Sequence, residues 1–327
     1  MNFEPPTMKK VFLADENTAR LCLPRLGSNL PVITIPAGEA YKSADTVMQI
    51  WHAMEQMGLD RYSTLVNVGG GVVCDLGGFA SATFKRGIQF INIPTTLLAM
   101  VDAAEGGKTG FNFDGLKNQI GLFAQPTEVV INTDFLGTLP HEELMSGAAE
   151  MLKHGLVGSS IHWAETITFN WEQPDYHALE PMIERSREIK KSFTEQDPLD
   201  KGLRKALNLG HTFAHAFEEW ALEKQQPLRH GHAVALGLVC ALYASVIKFC
   251  FPSGILQQTA QWVKAHFSPL GITCDDYPRL KQFMLSDKKN NDGTIRFTLL
   301  KDMAQPCVGQ VLSDTEIFEA FDFLREG

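Results

Sequence analysis

Short apolar runs alternate with amphipathic segments along the first part of the chain. Between Ser43 and Gly58, apolar residues recur at the 3.6-residue spacing of a helix, and Ser43 or Asp45 is suited to cap its start. Alternation of this kind is typical of βαβ units, and it predicts an open, mostly parallel sheet with flanking helices. The predicted strands are short and rich in β-branched residues: Val11–Ala14, Val32–Ile35, Thr64–Val68, Ile88–Ile93 and Val129–Ile131.

Strand signals nearly vanish after Pro140, and Ile295–Leu300 is the one late run that favours a strand. The pattern therefore predicts two domains, an α/β domain over residues 1–139 and a mainly helical domain over residues 140–327. The predicted helices of the second domain are Glu142–Gly155, Leu179–Phe193, Leu203–Leu222, His232–Phe249, Leu256–Ser268 and Thr315–Arg325.

Composition indicates a soluble cytoplasmic protein. The net charge of −9, from 38 acidic and 29 basic residues, argues against a nucleic-acid partner but not against one basic pocket for a small anion. The six cysteines form no CxxC pair, which is typical of a reducing compartment. The N-terminal residues resemble no secretion signal, and the longest uncharged apolar run, Ala233–Ile247, is short for a membrane span and predicts a buried core helix.

A glycine turn follows the third predicted strand. Gly69, Gly70 and Gly71 lead directly into a helix start, where glycines let the backbone approach a pyrophosphate and the helix N-terminus offers unpaired N–H groups. Cys74 stands where the third glycine of a GxGxxG motif belongs, so a tight βα turn without a ligand remains the alternative.

Three further features favour a dinucleotide and a Rossmann-like first domain. Gly77 and Gly78 lie inside the helix after the turn, where a purely structural helix avoids glycine. Thr95 and Thr96 open the next helix with two hydroxyls, and Glu39 follows the second strand, where an acidic residue can hold ribose hydroxyls.

Gly107-Lys108-Thr109 has the ending of a P-loop, but Asp102 occupies the position of its first glycine, so ATP binding is rejected. Lys108 and Lys117, both placed by this interpretation on glycine-rich loops, instead predict a clamp for an anionic substrate.

One carboxylate and two imidazoles are spread over the helical half of the chain. Glu150, His211 and His230 would make a metal site with three protein ligands, which leaves coordination positions open for water or substrate. Histidines on helices are more often core or surface residues than ligands, so the alternative that these residues bind no metal stays open at this point.

The neighbouring histidines are weaker candidates. His211 and His215 lie four residues apart and share a helix face, but no glutamate follows the first, so the pair is not an HExxH motif. His154 and His232 are interpreted as non-ligands, although the spacing of His230 and His232 leaves an HxH arrangement open.

Several cations stand beside these motifs. Lys153 lies three residues after Glu150 and shares its face. Taken singly, each is most simply a solvated side chain; as a set they predict a phosphate or carboxylate pocket. The others are Arg86, Lys108, Lys117, Lys190, Arg204 and Lys288.

Taken in order from about residue 11 to 300, these motifs resemble 3-dehydroquinate synthase, a family of the sugar-phosphate cyclases related to metal-dependent polyol dehydrogenases. The motifs are Gly69–Phe79, Phe84–Gly87, Pro94–Asp102, Gly106–Gly110, Lys117–Gly121, Ser146–Lys153, Asn208–His215 and Asp287–Lys289.

The resemblance implies a lyase of the shikimate pathway of aromatic amino-acid biosynthesis, using NAD, a divalent metal (Zn²⁺, or Co²⁺) and 3-deoxy-D-arabino-heptulosonate 7-phosphate, and a homodimer. The implied metal ligands are Glu150, His211 and His230. The implied catalytic residues are Lys153, His215, Asp102, Lys108, Arg204 and Asn208. The implied substrate contacts are Arg86, Lys117, Asn118, Lys190 and Lys288, or Lys289 in place of Lys288. The implied NAD contacts are Asp15, Asn17, Glu39, Lys42, Gly70, Gly71, Asp75, Thr95 and Thr96.

The chain departs from the family pattern in three places. His232 stands where the family commonly has Glu, Asp200 replaces a common Glu, and the N-terminus is short, which bears on dimer contacts more than on chemistry. The alternatives are a polyol dehydrogenase, a cyclase acting on sedoheptulose 7-phosphate or glucose 6-phosphate, and a non-catalytic binding module. Lys190, Asn208 and Lys288 together argue against another cyclase.

Overall fold

The structure, a computed structural model, describes residues 8–286 and 293–326. The chain divides between Pro140 and His141 into two compact units. The predicted fold class is confirmed: a parallel sheet organises the N-terminal unit, and the C-terminal unit is mainly helical.

A five-stranded parallel sheet forms the centre of the N-terminal unit. All five predicted strands are present, although the last is shorter than expected. The strands are β1 (Lys10–Asp15), β2 (Val32–Ile35), β3 (Thr64–Gly69), β4 (Gln89–Pro94) and β7 (Glu128–Val129), and an antiparallel hairpin of β5 (Lys108–Phe113) and β6 (Leu116–Phe123) precedes β7. Their order across the sheet is β2-β1-β3-β4-β7.

This strand order places a topological switch point between β1 and β3, since the chain leaves β1 toward one edge of the sheet and β3 toward the other. Ala14 pairs with Val68, so Asp15 and Gly69 end neighbouring strands at the same edge. Ligands of open α/β sheets bind outside the carboxyl ends of strands at such a point.

Three helices, α1 (Glu16–Leu21), α2 (Ala44–Gln56) and α3 (Gly71–Thr83), accompany the sheet. Ser43 caps α2, as predicted, and Leu13, Ile50 and Leu76 are fully buried in the shared core. Close packing accounts for Gly77 and Gly78 inside α3. A Cβ on Gly77 would lie 1.9 Å from Asn67 Oδ1, and one on Gly78 would lie 2.5 Å from Thr109 Cγ2.

The prediction of glycine-rich loops around Lys108 and Lys117 was wrong, because both lysines lie on strands of the β5–β6 hairpin. Gly110 and Gly121 face each other across the hairpin, and a Cβ on Gly110 would lie 2.2 Å from the Ile120 carbonyl oxygen. Glycines at a close backbone approach lack the side chains that mark a strand, which is why the period-2 pattern is missing here.

Helices make up most of the C-terminal unit. They are α4 (His141–Gly158), α5 (Ser160–Thr168), α6 (Tyr176–Gln196), α7 (His211–Glu223), α8 (His230–Phe249), α9 (Ser253–His266), α10 (Tyr277–Ser286) and α11 (Asp314–Glu326), and β8 (Phe297–Asp302) and β9 (Gln305–Gln310) form an antiparallel pair. The buried core helix that the apolar run predicted is α8: it is long and apolar enough to cross a membrane, but most of it is buried.

The prediction of one continuous helix over Leu203–Leu222 was wrong. The segment divides into a 3₁₀ turn at Leu203–Asn208 and α7, because Gly210 adopts a left-handed φ of 77° that interrupts the helix. The helices α5 and α10 were not predicted. The expected late strand is β8.

Candidate metal centre and nucleotide site

Three helices of the C-terminal unit bring Glu150, His211 and His230 together. Their ligand atoms all lie within 4.8 Å of one another. His230 Nε2 lies 3.5 Å and His211 Nε2 3.6 Å from Glu150 Oε1, so both imidazoles converge on one carboxylate. The residues that the sequence selected across about 80 positions therefore form one cluster.

Small residues allow these helices to approach closely. A Cβ on Gly231 would lie 2.1 Å from the Ser146 carbonyl oxygen, and the Gly231 N–H donates to Ser146 Oγ at 2.9 Å. A Cβ on Gly237 would lie 2.3 Å from the Gly210 carbonyl oxygen. These contacts hold the first residue of α8, His230, against α4, and hold the start of α7, where His211 lies, against α8.

Both imidazoles are oriented through their second nitrogen. His211 Nδ1 lies 3.2 Å from the Leu209 carbonyl oxygen, and His230 Nδ1 lies 3.5 Å from Glu218 Oε1. Histidines that ligate metals commonly donate the other N–H to a carbonyl or a carboxylate, which fixes the tautomer. In both rings this arrangement leaves Nε2 for the cluster.

Glu218 is a residue of this site that the sequence interpretation missed. It is 7 % exposed on α7, and it lies seven residues after His211, which is two helical turns and the same face. That spacing is a usable signal, but an acidic residue outside any recognised motif predicts no role on its own.

Glu150 is fully buried, and charged or titratable side chains surround its carboxylate. Lys153 Nζ contacts Glu150 Oε2, one turn along α4. Burial lowers the pKa of His230, but the Glu150 and Glu218 carboxylates outweigh it and raise the pKa to about 10. One carboxylate and two imidazole nitrogens are donors that suit Zn²⁺ or Co²⁺, whereas Mg²⁺ and Ca²⁺ prefer all-oxygen sites.

His215, His232 and His154 each have contacts of their own. His215 is half-buried, and its ring centroid lies 5.7 Å from that of His211. His232 Nε2 lies 2.7 Å from the Ser268 carbonyl oxygen, and the ring packs against Phe267, outside the cluster of Glu150, His211 and His230. His154 is fully buried, with Nδ1 2.7 Å from Ser186 Oγ.

The backbone of Arg204, a predicted catalytic residue, is held by Asp197, for which the sequence predicts no role. The Asp197 carboxylate accepts hydrogen bonds from the backbone N–H groups of Lys201, Gly202 and Arg204. These bonds lower the pKa of Asp197, and the bond from the Gly202 N–H contributes most. Asp200 lies in this turn with a left-handed φ of 56°, Lys190 is buried on α6, and Asn208 is half-buried at the end of the 3₁₀ turn.

In the N-terminal unit, the predicted nucleotide contacts gather at the carboxyl edge of the sheet. Gly70 precedes the first turn of α3, and a Cβ there would lie 3.0 Å from Thr96 Cγ2, so a larger residue would require Thr96 to shift. Thr95 donates its backbone N–H to the Gly69 carbonyl oxygen. This cradle, with Gly71 opening the helix, fits a pyrophosphate at a helix N-terminus.

The remaining predicted NAD contacts divide into two groups. Asp15 caps α1, where its Oδ1 accepts from the Thr18 N–H at 2.8 Å, and Asn17 is exposed on that helix. Lys42 is buried, and its Nζ donates to Asp75 Oδ2 at 2.6 Å and to Asn118 Oδ1 at 2.5 Å. The structure thus joins two predicted cofactor contacts to a predicted substrate contact.

Five predicted substrate or catalytic residues remain, and four of them lie among the described residues. Asp102 lies in a π-helical turn, Ala99–Ala103, a rare feature found frequently at functional sites. Arg86 is exposed with a left-handed φ of 70°. Lys117 is exposed on the β5–β6 hairpin, as is Lys108. The predicted Lys288, with its alternative Lys289, lies outside the described residues.

Comparison with known proteins agrees with the sequence resemblance. The family model of the 3-dehydroquinate synthase N-terminal domain matches residues 32–146, and that of the C-terminal domain matches residues 147–290. A 3-dehydroquinate synthase of Parabacteroides distasonis is 45 % identical over 324 residues, covering 97 % of this chain and 92 % of that protein. One of Bordetella pertussis is 40 % identical over 299 residues, covering 89 % and 80 %.

Solved structures share the fold. A 2-deoxy-scyllo-inosose synthase complexed with carbaglucose-6-phosphate, NAD⁺ and Co²⁺ has a TM-score of 0.84 at 23 % identity, covering 98 % of this chain and 91 % of that one. A 2-epi-5-epi-valiolone synthase of Streptomyces hygroscopicus with NAD⁺ and Zn²⁺ bound has the same TM-score and coverage at 24 % identity. With both domain models and close relatives matching nearly its whole length, the chain belongs to the 3-dehydroquinate synthase family.

Proposed function

We propose that this protein is a NAD- and metal-dependent 3-dehydroquinate synthase, a carbon–oxygen lyase of the shikimate pathway in aromatic amino-acid biosynthesis. The reaction converts 3-deoxy-D-arabino-heptulosonate 7-phosphate into 3-dehydroquinate and phosphate by transient oxidation, phosphate elimination, re-reduction and intramolecular aldol closure. The observation that carries the proposal is the Glu150, His211 and His230 cluster beside buried Lys153, in a chain 45 % identical to a 3-dehydroquinate synthase.

Glu150, His211 and His230 would hold a divalent cation, preferably Zn²⁺ with Co²⁺ as the alternative. A cation bound there supplies Lewis acidity toward substrate hydroxyl and enolate oxygens. Glu218 and the Leu209 carbonyl oxygen orient the two imidazoles. This support is the reason that the cluster fits a metal rather than a solvated ion pair.

The carboxyl edge of the sheet would hold NAD, which supplies a reversible hydride acceptor and leaves the reaction redox-neutral. The α3 N-terminus at Gly70 and Gly71 would bind the pyrophosphate, with Thr95 and Thr96 beside it. Acidic and amide side chains at the strand ends would hold the ribose hydroxyls, and Lys42 would fix Asp75. The proposed cofactor contacts are Asp15, Asn17, Glu39, Lys42, Gly70, Gly71, Asp75, Thr95 and Thr96.

Polar residues from several segments would bind and orient the anionic substrate. Guanidinium, ammonium and amide donors match phosphate and carboxylate oxygens. His215 would relay the proton of the substrate hydroxyl, since imidazole titrates near neutral pH. The phosphate contacts would be Arg86, Asn118 and Lys288, and the other contacts Lys108, Lys117, Lys153, Lys190, Arg204, Asn208 and Asp102.

One assay tests the proposal. Purified protein with 3-deoxy-D-arabino-heptulosonate 7-phosphate and substoichiometric NAD⁺ should release phosphate over many turnovers per NAD⁺, without NADH accumulating. A chelator should abolish the release, and added Zn²⁺ should restore it. Net NADH production with polyols, or no phosphate release from the metal-loaded protein, would show that the assignment is wrong.

The proposal includes a homodimer located in the cytoplasm, which the family resemblance implies. Light scattering of the purified protein should give a mass near twice the 36.3 kDa of the chain. A monomer at micromolar concentration would contradict the dimer without touching the proposed chemistry.

A further inference from the structure

Asn112 on β5 makes three hydrogen bonds to residues around the proposed cofactor and substrate contacts. Its backbone N–H donates to the Lys42 carbonyl oxygen, its Nδ2 donates to Glu39 Oε1, and its Oδ1 accepts from the backbone N–H of Asn118, each at 2.8 Å. One side chain therefore connects the segment of Glu39 and Lys42 with the β6 strand of the hairpin.

A local irregularity of the hairpin makes this arrangement possible. Phe111 pairs with Ile120 and Phe113 with Leu116, so Asn112 alone lies opposite the three residues 117–119 of β6, which contain the extra length. A β-bulge of this kind re-aims a side chain and releases backbone groups from the ladder. At this irregularity the Asn112 N–H donates to the Lys42 carbonyl oxygen.

Asn118 needs such support because it adopts a left-handed φ of 50°, which Asn tolerates better than most residues but at some energetic cost. Two independent bonds hold it: Asn112 Oδ1 accepts from its backbone N–H, and Lys42 Nζ donates to its Oδ1 at 2.5 Å. Lys42 is itself bonded to Asp75, so the four residues and Glu39 form one connected network.

We propose that Asn112 is a positioning residue that holds Glu39 and Asn118 in register, so that a ribose contact and a phosphate contact are set together. The inference rests on the proposed function, because it takes Glu39 as a cofactor contact and Asn118 as a substrate contact. Asn112 itself touches neither ligand in this account. It acts through its two neighbours.

Substitutions at Asn112 distinguish the effect of its bond to Glu39 from the effect of its bond to Asn118. Asn112→Ala removes both the donor toward Glu39 and the acceptor toward Asn118. Asn112→Asp keeps an acceptor for the Asn118 N–H, but it places a carboxylate against the Glu39 carboxylate, which must then move away. In the double variant Asn112→Asp with Glu39→Gln, the introduced amide would donate to the introduced carboxylate and restore the bond with its polarity reversed.

The experiment measures binding of NADH and of inorganic phosphate to the full-length, zinc-loaded protein. Asn112→Ala should weaken both by roughly tenfold, about the effect of one lost hydrogen bond at each end. Asn112→Asp should weaken NADH binding by about tenfold and phosphate binding by less than about threefold, because it disturbs only the end at Glu39. Adding Glu39→Gln to Asn112→Asp should recover most of the NADH affinity, which a purely structural role of Asn112 would not produce.

Asp114→Asn, in the turn of the same hairpin, is the control and should change neither affinity. Unchanged affinities in Asn112→Ala, equal losses of both ligands in Asn112→Asp, or no recovery in the double variant would overturn the inference. A wild-type protein that binds no NADH would instead overturn the proposed function, so the two failures are distinguishable.

Discussion

Glu218 Oε1 lies 3.5 Å from Nδ1 of His230, while Nε2 of the same ring lies 3.5 Å from Oε1 of Glu150. The imidazole is thus held between two carboxylates, one at each nitrogen. Because the Glu218 carboxylate accepts from Nδ1–H, Nε2 is the nitrogen that faces the cluster, which is the tautomer that a metal ligand requires.

Removing Glu218 should therefore weaken metal binding without removing a ligand. Glu218→Ala is expected to raise the zinc dissociation constant by about 10- to 100-fold, with Glu218→Gln in between, because the amide still accepts from Nδ1–H but carries no charge. Competition with a chromophoric chelator measures it. Glu219→Gln, the next residue of the same helix, is the control, and equal affinities of all three variants would show that Glu218 does not position His230.

The spacing of His230 and His232 left two ligand assignments open, and the structure distinguishes them. His230→Ala should abolish stoichiometric zinc binding, because it removes one of three ligands. His232→Ala should keep it, since His232 faces the Ser268 carbonyl oxygen. The zinc content of both variants after dialysis tests this. Loss of zinc in His232→Ala alone would show that His232, and not His230, is the ligand. His211→Ala should lose zinc and turnover together.

Lys153 contacts the same carboxylate as the two imidazoles, yet an ammonium group cannot ligate a metal. Lys153→Met keeps most of the buried volume and removes the charge, so we expect retained zinc and a fall in kcat of at least about 100-fold, the scale of a lost electrostatic contact to the reacting atoms. Single-turnover phosphate release and zinc content test this. Lys191→Met, exposed on α6, is the control. Zinc loss in Lys153→Met would make the role of Lys153 structural.

The sequence predicted those features whose signal is local. Strands β1 to β4 follow from short β-branched runs, and the metal cluster follows from residue types in recognisable motifs. The β5–β6 hairpin was missed because the facing glycines Gly110 and Gly121 and the β6 bulge opposite Asn112 remove the alternation of a strand. Gly210 likewise divided a continuous helical pattern that periodicity alone could not interrupt.

Features that depend on three-dimensional proximity could not be predicted. Nothing in the spacing of Ser146 and Gly231 shows that the backbones of α4 and α8 touch there. The network of Asn112, Glu39 and Asn118 likewise joins segments far apart in the chain. The sequence gives Asn112 and Gly231 no chemical role, so what they do becomes visible only when the fold brings their partners together.

The close approach of α8 to α4 allows a prediction about folding stability. Gly231 and Gly254 are each the second residue of a helix, but a Cβ on Gly231 would lie 2.1 Å from backbone, whereas one on Gly254 would meet nothing within 4 Å. Gly231→Ala should lower the free energy of unfolding by about 3 kcal/mol or more and weaken zinc binding. Gly254→Ala should change stability by less than about 1 kcal/mol. Urea denaturation of both variants measures the difference. Similar stabilities would contradict the close contact of α8 with α4.

Buried His162 on α5 should make stability depend on pH. Burial, opposed in part by the Glu165 carboxylate, lowers its pKa to about 4. The unfolded chain, with an ordinary pKa near 6.5, then takes up a proton that the folded chain refuses, so the contribution of His162 is present above about pH 6.5 and is lost as the pH falls toward 4. Relative to His162→Gln, the wild-type free energy of unfolding should drop by about 2 kcal/mol between about pH 7.5 and about pH 5. His177→Gln, on the exposed start of α6, should follow the wild type, and parallel pH profiles for wild type and His162→Gln would show that His162 is protonated in the folded protein.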